Sequence, residues 1–524
     1  MKQQHFDLCV IGGGINGAGV ARDAAGRGLS VILLEAGDLG SMTSSASSKM
    51  LHGGLRYLEQ FEFKLVREAL KERQTIMRIA PHISKPMDFV LPHTPEQRSR
   101  FVIQMGLFLY DFLAGKQRLK SSRAVQLLSD PVGKPFKDHH KSGFCYTDGQ
   151  VDDARLVVLN AVDAKARGAV IKTYTAATQI EEHEQGWEIA YEERLSGRLG
   201  SVTASTIVNA AGPASDQVHA LVEQVTQPVP EGVKEDTQEQ HEADAVPGLR
   251  LVKGSHIIVR KLYEGDQGYL LQSPDKRAVF VWPYEGQYTL IGTTEVEYEG
   301  HPGDAEISDE EIDYLCGVVN GFTKRSVQRA DIVAQFSGVR PLVESEGKSA
   351  RTASRRHMLH ERKGANDARI LTIYGGKLTT YRLIAQELMD HIVGARNDWT
   401  ACEALPGGQF KQVNFDLFLQ EKLYQYSTVE RSYVRRLARQ YGTRMDEILQ
   451  NAKRLDDLGA HYGDDVYENE VVFLIREEFA RTPRDILWRR TKLDLNASEE
   501  TRKKLEAVMP DLLKEHLSQK GEAA

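Results

Sequence analysis

The chain has 524 residues, which is too long for one ordinary domain and predicts two or three. Hydrophobic residues make up 41% and charged residues 27%, a balance that is typical of a soluble globular protein and excludes a disordered or fibrous one. A net charge of -7 and a pI near 6.2 give no reason to expect nucleic-acid binding.

The cysteine spacing and the hydropathy indicate where in the cell the protein is located. The cysteines at positions 9, 145, 316 and 402 are far apart and form no C-x-x-C pair, so neither a metal site nor a disulfide framework is expected. A reducing compartment fits this usage best. The chain leads straight into a strand pattern, and it lacks the run of about 18 to 20 apolar residues that a spanning helix needs. We therefore expect a cytosolic protein, or one that lies on a membrane without crossing it.

The first segment has the pattern of a dinucleotide-binding βαβ unit. An apolar strand, His5–Ile11, is followed by Gly12–Gly17, which matches G-x-G-x-x-G, and then by a helix pattern over Ala18–Arg27. A second apolar run, Ser30–Leu34, ends at Glu35. In this context the glycines allow close approach to a pyrophosphate at the helix N-terminus, and the acidic residue bonds ribose hydroxyls. The predicted contacts are Gly12, Gly14, Asn16, Gly17 and Glu35.

Later turns favour FAD over NAD as the dinucleotide. Small hydroxyl residues fill Thr43–Lys49, which suits a pyrophosphate or flavin edge, and a Gly-Gly pair follows. An apolar strand closing on N-A-A-G-P at 209–213 offers a second close backbone approach. The turn Gly375–Thr380 opens a helix whose amides are expected to face the flavin O2 edge. The predicted contacts are Thr43, Ser44, Ser45, Ser47, Ser48, His52, Gly53, Gly54, Ala210, Gly212, Gly338, Gly376, Leu378 and Thr379.

The middle and the end of the chain differ in pattern. Apolar positions at helical spacing predict amphipathic helices, of which Leu65–Ile79 is an example. The runs Leu251–Val259, Ala278–Trp282 and Tyr288–Gly292 predict strands of an antiparallel sheet that covers the substrate. From residue 409 onward one helix pattern follows another, and Thr482-Pro483 is typical of an N-cap followed by proline at the first helical position.

These patterns predict an α/β fold with a Rossmann-like FAD-binding domain of the two-dinucleotide-binding type, as in glutathione reductase and amino-acid oxidases. An antiparallel-sheet substrate domain and an all-helical C-terminal domain complete it. The FAD-binding domain is expected to be discontinuous, over 1–80, 145–225 and 330–398. The substrate domain is assigned to 81–144 and 249–329, an acidic surface loop to 226–248, and the helical domain to 400–524.

An aromatic, apolar run at Phe101–Ala114 has basic residues on both sides. It is too short to span a bilayer, but it suits an interfacial helix on anionic lipid. A helix buried within the substrate domain is the competing interpretation. The flanking cations are Arg98, Arg100, Lys116, Arg118 and Lys120.

With these motifs in line, the chain resembles the FAD-dependent, quinone-linked glycerol-3-phosphate dehydrogenases over nearly its whole length. The matching segments are IGGGINGAG (11–19), AGRGLSV (25–31), TSSASSKMLHGGLRYLE (43–59), VDDARLV (151–157), KGSHI (253–257), IGTTEVEY (291–298), SGVRPL (337–342), GGKLTTYR (375–382) and WRRTK (488–492). The resemblance implies oxidation of sn-glycerol 3-phosphate to dihydroxyacetone phosphate, with hydride passed to FAD and electrons to membrane quinone. It also implies a cytoplasmic protein held peripherally on the inner face of the cell membrane, and it leaves a homodimer open.

Substrate chemistry and the resemblance together suggest the site residues. Arginine suits a phosphate dianion, and the candidates are Arg56, Arg340 and Arg355. The family uses the arginine that matches Arg355 for the phosphate, but an acidic residue usually follows it, where this chain has Arg356. The resemblance makes His256 the general base, with Arg340 as the competing proton acceptor or alkoxide stabiliser. The predicted hydrogen-bond partners of the substrate are Tyr57, Thr293 or Thr294, and Lys377, which also favours anionic reduced flavin.

Three other functions remain open at this stage. An oxidase of the same substrate would pass electrons to O2 and make hydrogen peroxide, and the flavin motifs scarcely separate it from a dehydrogenase. A non-catalytic flavoprotein scaffold for RNA modification would need a basic groove and a nucleophilic cysteine pattern, which are absent. An oxidase of amino or hydroxy acids would need one arginine for a carboxylate, whereas this chain offers a cluster suited to a dianion.

Overall fold

The computed structural model describes residues 4–115, 119–223, 248–273, 275–343, 357–364, 367–411 and 414–518. Several sequence predictions lie outside these residues: the acidic segment up to residue 247, Lys116 and Arg118, and Arg355 with Arg356. For Arg56 only the backbone is described.

Most of the strands belong to two large sheets. In chain order the strands are β1 (His5–Ile11), β2 (Val31–Leu34), β3 (Met50–Leu51), β4 (Ser84–Pro92), β5 (Arg123–Gln126), β6 (Ser142–Val151), β7 (Val170–Lys172), β8 (Thr175–His183), β9 (Gly186–Glu193), β10 (Arg198–Asn209), β11 (Leu249–Arg260), β12 (Gly268–Gln272), β13 (Ala278–Tyr284), β14 (Tyr288–Gly292), β15 (Val296–Glu297), β16 (Ile332–Val343), β17 (Met358–Lys363), β18 (Arg369–Tyr374), β19 (His461–Gly463) and β20 (Val466–Tyr467).

Helices cover the sheets and build the end of the chain. In chain order the helices are α1 (Ile15–Gly26), α2 (Phe63–Ile79), α3 (Arg100–Leu113), α4 (Asp153–Ala166), α5 (Ser215–Glu223), α6 (Asp309–Phe322), α7 (Tyr381–Val393), α8 (Trp399–Cys402), α9 (Phe415–Gln425), α10 (Arg431–Tyr441), α11 (Met445–Leu449), α12 (Glu468–Glu477) and α13 (Glu499–Ser518).

The first sheet holds the glycine-rich N-terminal turn. Its strand order is β17-β18-β10-β1-β2-β7, and the hairpin of β8 and β9 pairs with β10. The central strand β1 is parallel to both β2 and β10. Helices α1, α4 and α7 bury one face of it, while the hairpin and α5 bury the other. Burial on both faces explains the apolar runs Leu8–Ile11 in β1 and Val31–Leu34 in β2.

The second sheet is the predicted substrate-covering sheet. Its order is β15-β11-β14-β13-β12-β4-β6-β3, with β16 paired to β11 and β5 to β6. The pairs are antiparallel except for β12 with β4, which is parallel. Strand β16 runs alongside β11 for its whole length, from Val343 opposite Leu249 to Ile332 opposite Val259. It carries Gly338 and Arg340 to the boundary between the two sheets.

Three strands lie on the other side of the predicted domain boundaries. The segments 1–80, 145–225 and 330–398 are assigned to the FAD-binding domain from sequence, whereas β3, β6 and β16 lie in the second sheet. Strand β6 pairs with β4 from Gly143 to Val151, and β16 pairs with β11. Pairing partners remote in sequence decide sheet membership, and no local apolar pattern carries that information. After β16, the chain returns to the first sheet at β17.

The C-terminal helices α9 to α13 form a separate apolar core, to which the short hairpin of β19 and β20 also contributes. Apart from that hairpin, the predicted all-helical domain is confirmed. Helix α10 ends at Gly442, whose φ is +55°. Thr482 caps the next helical segment as predicted, because its Oγ1 accepts the Asp485 amide at 3.3 Å. That segment continues as a π-helix over Asp485–Arg490.

Two features are absent from the described ranges. None of the helices in them is long and apolar enough to cross a membrane. Within the same ranges, no three His, Cys, Asp or Glu side chains come together as a metal site.

Candidate active site

A cleft of about 480 Å³ lies where the ends of β1, β2, β10 and β18 meet strand β16. The carboxyl ends of parallel strands in an α/β sheet are where such folds bind dinucleotides. Among the predicted cofactor residues, those lining the cleft are Gly12, Gly14, Asn16, Glu35, Thr43, Ser44, Ser47, Ser48, His52, Ala210, Gly212, Gly338, Gly376, Leu378 and Thr379.

The N-terminal turn needs its glycines for two different reasons. Gly12 has φ +109°, and a Cβ there would lie 2.6 Å from the Ala210 carbonyl oxygen. That contact brings β1 and β10 together at the floor of the cleft. Gly17 does not line the cleft. It faces the inside of the turn, where a Cβ would collide with the Gly12 carbonyl oxygen. Gly17 therefore shapes the turn, and Gly12 and Gly14 border the ligand space.

Glu35 stands at the end of β2, where a ribose is expected. Its carboxylate accepts the Gly13 amide at 2.5 Å and the Gly37 amide at 2.7 Å. Burial raises the pKa of Glu35, and the two amides and Arg194 oppose that rise. Arg194 also lines the cleft, and the sequence analysis did not single it out.

The hydroxyl-rich loop 43–49 is anchored mostly to the protein. Thr43 Oγ1 donates to the Val339 carbonyl at 2.6 Å, and Ser44 Oγ accepts the Ile15 amide at 2.9 Å. Ser47 Oγ donates to Asp153 at 2.7 Å. Thr43, Ser44 and Ser47 also border the cleft, so they shape the loop as well as the ligand space. Ser45 does not line the cleft; its carbonyl accepts the Lys49 ammonium at 3.0 Å.

The far end of the cleft is formed by the turn before α7. Gly376 has φ +92°, and Lys377 Nζ lies 3.8 Å from the centroid of the Tyr57 ring. Both Tyr57 and Lys377 line the cleft. Gly53 and Gly54 do not: the Gly53 amide donates to the Tyr110 hydroxyl at 2.8 Å, and Gly54 takes a left-handed conformation that lets the chain turn toward Tyr57.

Arg340 and Thr293 meet above one glycine. A Cβ built on Gly254 would lie 2.6 Å from Thr293 Oγ1 and 3.1 Å from Arg340 Nη2. Gly254 lies on β11, between β16, which carries Arg340, and the residue that follows β14, Thr293, so it leaves room for the guanidinium and the hydroxyl. Arg340 faces the cleft directly. Thr293 is not among the residues that line it, and its hydroxyl donates to the Thr294 carbonyl at 3.1 Å.

His256 lies one layer behind the cleft wall. It is 1% exposed, its Nε2 is 3.0 Å from Ser48 Oγ, and its ring stacks on Phe336 at 4.8 Å. Burial, together with Arg340 and Lys49, holds the pKa of His256 well below its ordinary value. The imidazole is therefore neutral at pH 7, and Ser48 connects it to the cleft.

Comparisons with known proteins agree with this geometry. The family model described as FAD dependent oxidoreductase matches residues 7–382. The chain belongs to the FAD-dependent oxidoreductase family. A second model, described as the C-terminal domain of alpha-glycerophosphate oxidase, matches residues 399–523. The fold class predicted from the sequence is thereby confirmed, and FAD is the cofactor of this oxidoreductase.

Similar proteins cover nearly the whole oxidoreductase chain. The D-erythritol 1-phosphate dehydrogenase of Brucella abortus is 44% identical over 95% of this chain and 96% of its own. The glycerol-3-phosphate dehydrogenase of Pseudomonas aeruginosa is 43% identical, over 94% of this chain and 92% of its own. The crystal structure of the glycerol-3-phosphate dehydrogenase from Bacillus halodurans complexed with FAD superposes with a TM-score of 0.70 at 25% identity, over 98% of this chain and 96% of that one.

The residues of this FAD-dependent oxidoreductase fit its cofactor on structural grounds. The α1 N-terminus opens on a wall that side chains leave bare at Gly12 and Gly14, as a pyrophosphate requires. Glu35 would supply the ribose acceptor, and the Gly376 turn presents backbone at the opposite end. Gly12, Gly14, Glu35, Ser48 and Thr379 would hold FAD, with the other lining residues around them.

The sequence analysis missed a buried network behind the substrate side of this oxidoreductase. Glu311, near the start of α6 and 5% exposed, accepts the Ser255 and Thr294 hydroxyls at 2.9 and 2.5 Å. Its other oxygen pairs with Lys253 at 2.9 Å. The Ser308–Glu311 capping box marks a helix start in the sequence. It does not reveal that this carboxylate reaches the strand that carries His256.

The ion pair of Lys49 with Asp153, which the sequence does not reveal either, holds the hydroxyl-rich loop. Asp153 is fully buried at the start of α4, and it accepts the Lys49 ammonium at 2.8 Å as well as Ser47. The segment VDDARLV entered the sequence analysis only through the resemblance. An acidic residue at a helix start is common, so the pattern does not single out Asp153.

Proposed function

We propose that this FAD-dependent oxidoreductase oxidises sn-glycerol 3-phosphate to dihydroxyacetone phosphate. The observation that carries the proposal is the position of Arg340, which lines the cleft together with Lys377 and Tyr57. Thr293 lies behind it, on the other side of the space that Gly254 leaves open. Cations and hydrogen-bond donors at one end of a flavin site suit an alcohol that carries a phosphate dianion. The glycerol-3-phosphate dehydrogenases among the relatives support the same substrate.

Different residues of the chain stabilise the developing charge and bind the phosphate. Bound FAD supplies the acceptor for the hydride that leaves the secondary carbon. Arg340, held beside the cleft, stabilises the alkoxide charge that develops as the hydroxyl loses its proton. Lys377 and Arg56 bind the phosphate, with Tyr57 as a hydrogen-bond partner. The assignment of Arg355 to the phosphate stays a prediction.

We assign the hydroxyl proton to the pair of Ser48 and His256. The serine hydroxyl borders the cleft and stands 3.0 Å from a neutral imidazole, so it can pass a proton to a base that does not itself reach the substrate. If Ser48→Ala leaves the rate of flavin reduction unchanged, this assignment fails.

D-Erythritol 1-phosphate is the second candidate substrate. The dehydrogenase named for it is as similar to this chain as the glycerol-3-phosphate dehydrogenases are. Both compounds are polyol phosphates with a secondary alcohol beside the phosphorylated carbon, and they differ in chain length.

Anaerobic flavin reduction distinguishes these substrates. We expect sn-glycerol 3-phosphate to bleach the flavin of the purified holoenzyme completely, and with a higher rate constant divided by Kd than D-erythritol 1-phosphate. Glycerol without phosphate should not bleach it, because it lacks the dianion that the cationic groups bind. The reverse preference would identify the four-carbon substrate. Bleaching by neither phosphate, with flavin that dithionite still reduces, would refute the proposed function.

We further propose that electrons leave to membrane quinone rather than to O2. Quinone is confined to the bilayer, so the enzyme must sit on the membrane, on the cytoplasmic side of the cell membrane. Substrate-reduced enzyme should therefore reoxidise faster with a short-chain quinone than with air-saturated buffer. Equal rates, with hydrogen peroxide formed at each turnover, would favour the oxidase.

A surface built on α3 supports membrane contact. Phe101, Phe108 and Phe112 are 75%, 63% and 71% exposed, while Leu107 and Tyr110 on the opposite face are buried. We name Phe61, Phe101, Met105, Phe108 and Phe112 the aromatic patch. Full burial within the substrate domain, the competing interpretation of this helix, does not agree with these exposures.

Charges around the aromatic patch are of the kind that anionic lipid attracts. Lys64 and Lys120 have side chains that are 80% and 81% exposed. Arg98 lies just before α3, and its side chain is 61% exposed and paired with Glu59. Aromatic side chains with basic neighbours are typical of interfacial helices.

The double substitution Phe108→Glu/Phe112→Glu should lower binding to vesicles of anionic phospholipid at least about tenfold, because two exposed phenylalanines that would insert among the lipids are replaced by charges. Co-sedimentation measures it, and flavin reduction by substrate should stay unchanged. Leu199→Glu is the matched control, because Leu199 is 75% exposed on a distant hairpin. Unchanged vesicle binding would refute the membrane role, and a dimer that the double variant converts to monomer would reassign the patch to a subunit interface.

A further inference from the structure

The ribose end of the cleft is built from two loops, and both are bonded to the helical C-terminal domain. One loop, residues 35–42, follows β2 and contributes Glu35, Gly40, Ser41 and Met42 to the cleft. The other, residues 174–177, consists of Tyr174 and the first residues of β8, and it contributes Thr175 to Ala177. The two are joined directly, because the Thr175 amide donates to the Glu35 carbonyl at 2.7 Å and the Tyr174 amide to the Gly37 carbonyl at 2.8 Å.

Asp38 anchors the first loop. It is 1% exposed, and its two carboxylate oxygens accept both terminal nitrogens of Arg490 at 2.6 and 2.7 Å. The Nε of Arg489 donates to the same carboxylate. Burial opposes ionisation, but Arg490 and Arg489 outweigh it and lower the pKa of Asp38. A buried carboxylate is thus held ionised entirely by residues of the C-terminal domain.

Tyr174 anchors the second loop to the same segment. Its hydroxyl donates to Asp485 at 2.8 Å, and Arg489 pairs with that carboxylate too. Asp485 in turn accepts the amides of Arg481 and Thr482 at 2.8 and 2.9 Å, so it is fixed within its own domain.

The π-helical turn explains how one segment reaches both loops. In an α-helix adjacent residues point about 100° apart, because there are about 3.6 residues in each turn. The wider turn over Asp485–Arg490 directs Arg489 and Arg490 to one carboxylate. Arg490 is also tied to the Glu478 carbonyl at 2.8 Å, which connects it to the end of α12. π-Turns within helices occur frequently at functional positions.

We propose that the C-terminal domain is a structural part of the FAD site. Asp485, Arg489 and Arg490, which we name the clamp, are positioning residues that hold the loops 35–42 and 174–177 against the adenosine half of FAD. The clamp touches no substrate, so it sets how tightly FAD is retained rather than how fast the bound flavin is reduced.

Arg490→Gln tests the clamp, with Arg436→Gln as its matched control. Arg436 makes a two-pronged pair with Glu470 at 2.7 and 2.8 Å inside the C-terminal domain and contacts neither loop. Both variants lose a paired arginine of the same domain. We expect Arg490→Gln to raise the Kd of FAD at least about tenfold, and Arg436→Gln to change it less than about twofold. The fluorescence of FAD released on dilution measures the Kd, at a temperature where both proteins are folded.

Milder variants keep the test decisive if Arg490→Gln does not fold. Tyr174→Phe removes one hydroxyl and Asp38→Asn one charge at nearly constant shape, and each should raise the Kd of FAD about threefold or more. Rates of flavin reduction in protein saturated with FAD should stay within about twofold of wild type. Equal FAD affinity in wild type, Tyr174→Phe and Asp38→Asn would overturn the proposal, as would equal losses in Arg490→Gln and Arg436→Gln.

Discussion

Replacing Arg340 by alanine is expected to slow reduction of the flavin by glycerol 3-phosphate about 10²- to 10³-fold, because a preorganised charge beside the developing alkoxide is lost. The FAD content should stay at the wild-type level, since Arg340 lies in the second sheet and the pyrophosphate site in the first. Stopped-flow absorbance under anaerobic conditions measures the rate, and the absorbance ratio of flavin to protein measures the content.

Two further variants test whether the effect depends on the positive charge of residue 340 and on its location at the cleft. Arg340→Lys keeps a cation but loses the planar fork, so it should recover part of the rate. Arg250→Ala, on the adjacent strand β11, removes a surface arginine paired with Glu297 and should leave reduction unchanged. An equal loss of rate and FAD content in Arg340→Ala would mean that this arginine holds the fold together instead of serving the reaction.

Gly12→Ala should abolish stable FAD binding, with a rise of about two orders of magnitude or more in the Kd of FAD. The new Cβ would lie 2.6 Å from the Ala210 carbonyl, on a residue whose φ is +109°. An L-residue is strained at that φ, and the contact is with backbone that cannot turn aside. The β1 and β10 ends must separate, which displaces the turn from the pyrophosphate. Ultrafiltration of the reconstituted protein measures the retained flavin.

Gly317→Ala serves as the control for this glycine substitution. Gly317 lies in α6, and a Cβ there meets nothing within 4 Å. The added methyl group should leave FAD binding unchanged and raise the free energy of unfolding by up to about 1 kcal/mol, as alanine does in place of a helical glycine. If Gly12→Ala retained FAD as well as Gly317→Ala does, the turn at Gly12 would not be the pyrophosphate site.

Local patterns predicted the cofactor half of the molecule well. The βαβ unit around Gly12, the helical C-terminal domain and the Thr482 cap depend on residues close in sequence, so their signals survive in a single chain. Prediction from the sequence is limited where one side chain can bond either to the ligand or to the protein. Thr43, Ser44 and Ser47 border the cleft, but the hydroxyl of each also forms a hydrogen bond within the protein, and composition cannot show which partner a hydroxyl takes.

Contacts between distant segments were not predictable. Asp153 and Glu311 are ordinary helix-start acids in the sequence, and only the folded chain brings them behind loop 43–49 and strand β11. Arg489 and Arg490 entered through a resemblance alone, because a carboxylate more than four hundred positions earlier leaves no mark on their neighbours. The membership of β6 and β16 in the second sheet has the same origin.

The strand order of the first sheet also bears on how the protein is synthesised. A ribosome makes β1 and the Gly12 turn first, but the Ala210 wall belongs to β10, and the strand on the far side of β10 is β18. Pairing between segments so far apart is slow and must wait for the later ones to emerge. The last groups that hold the ribose end, Arg489 and Arg490, come within the final tenth of the chain. FAD therefore enters a nearly finished polypeptide, and a truncation anywhere upstream of the clamp leaves a nascent chain without a complete cofactor site.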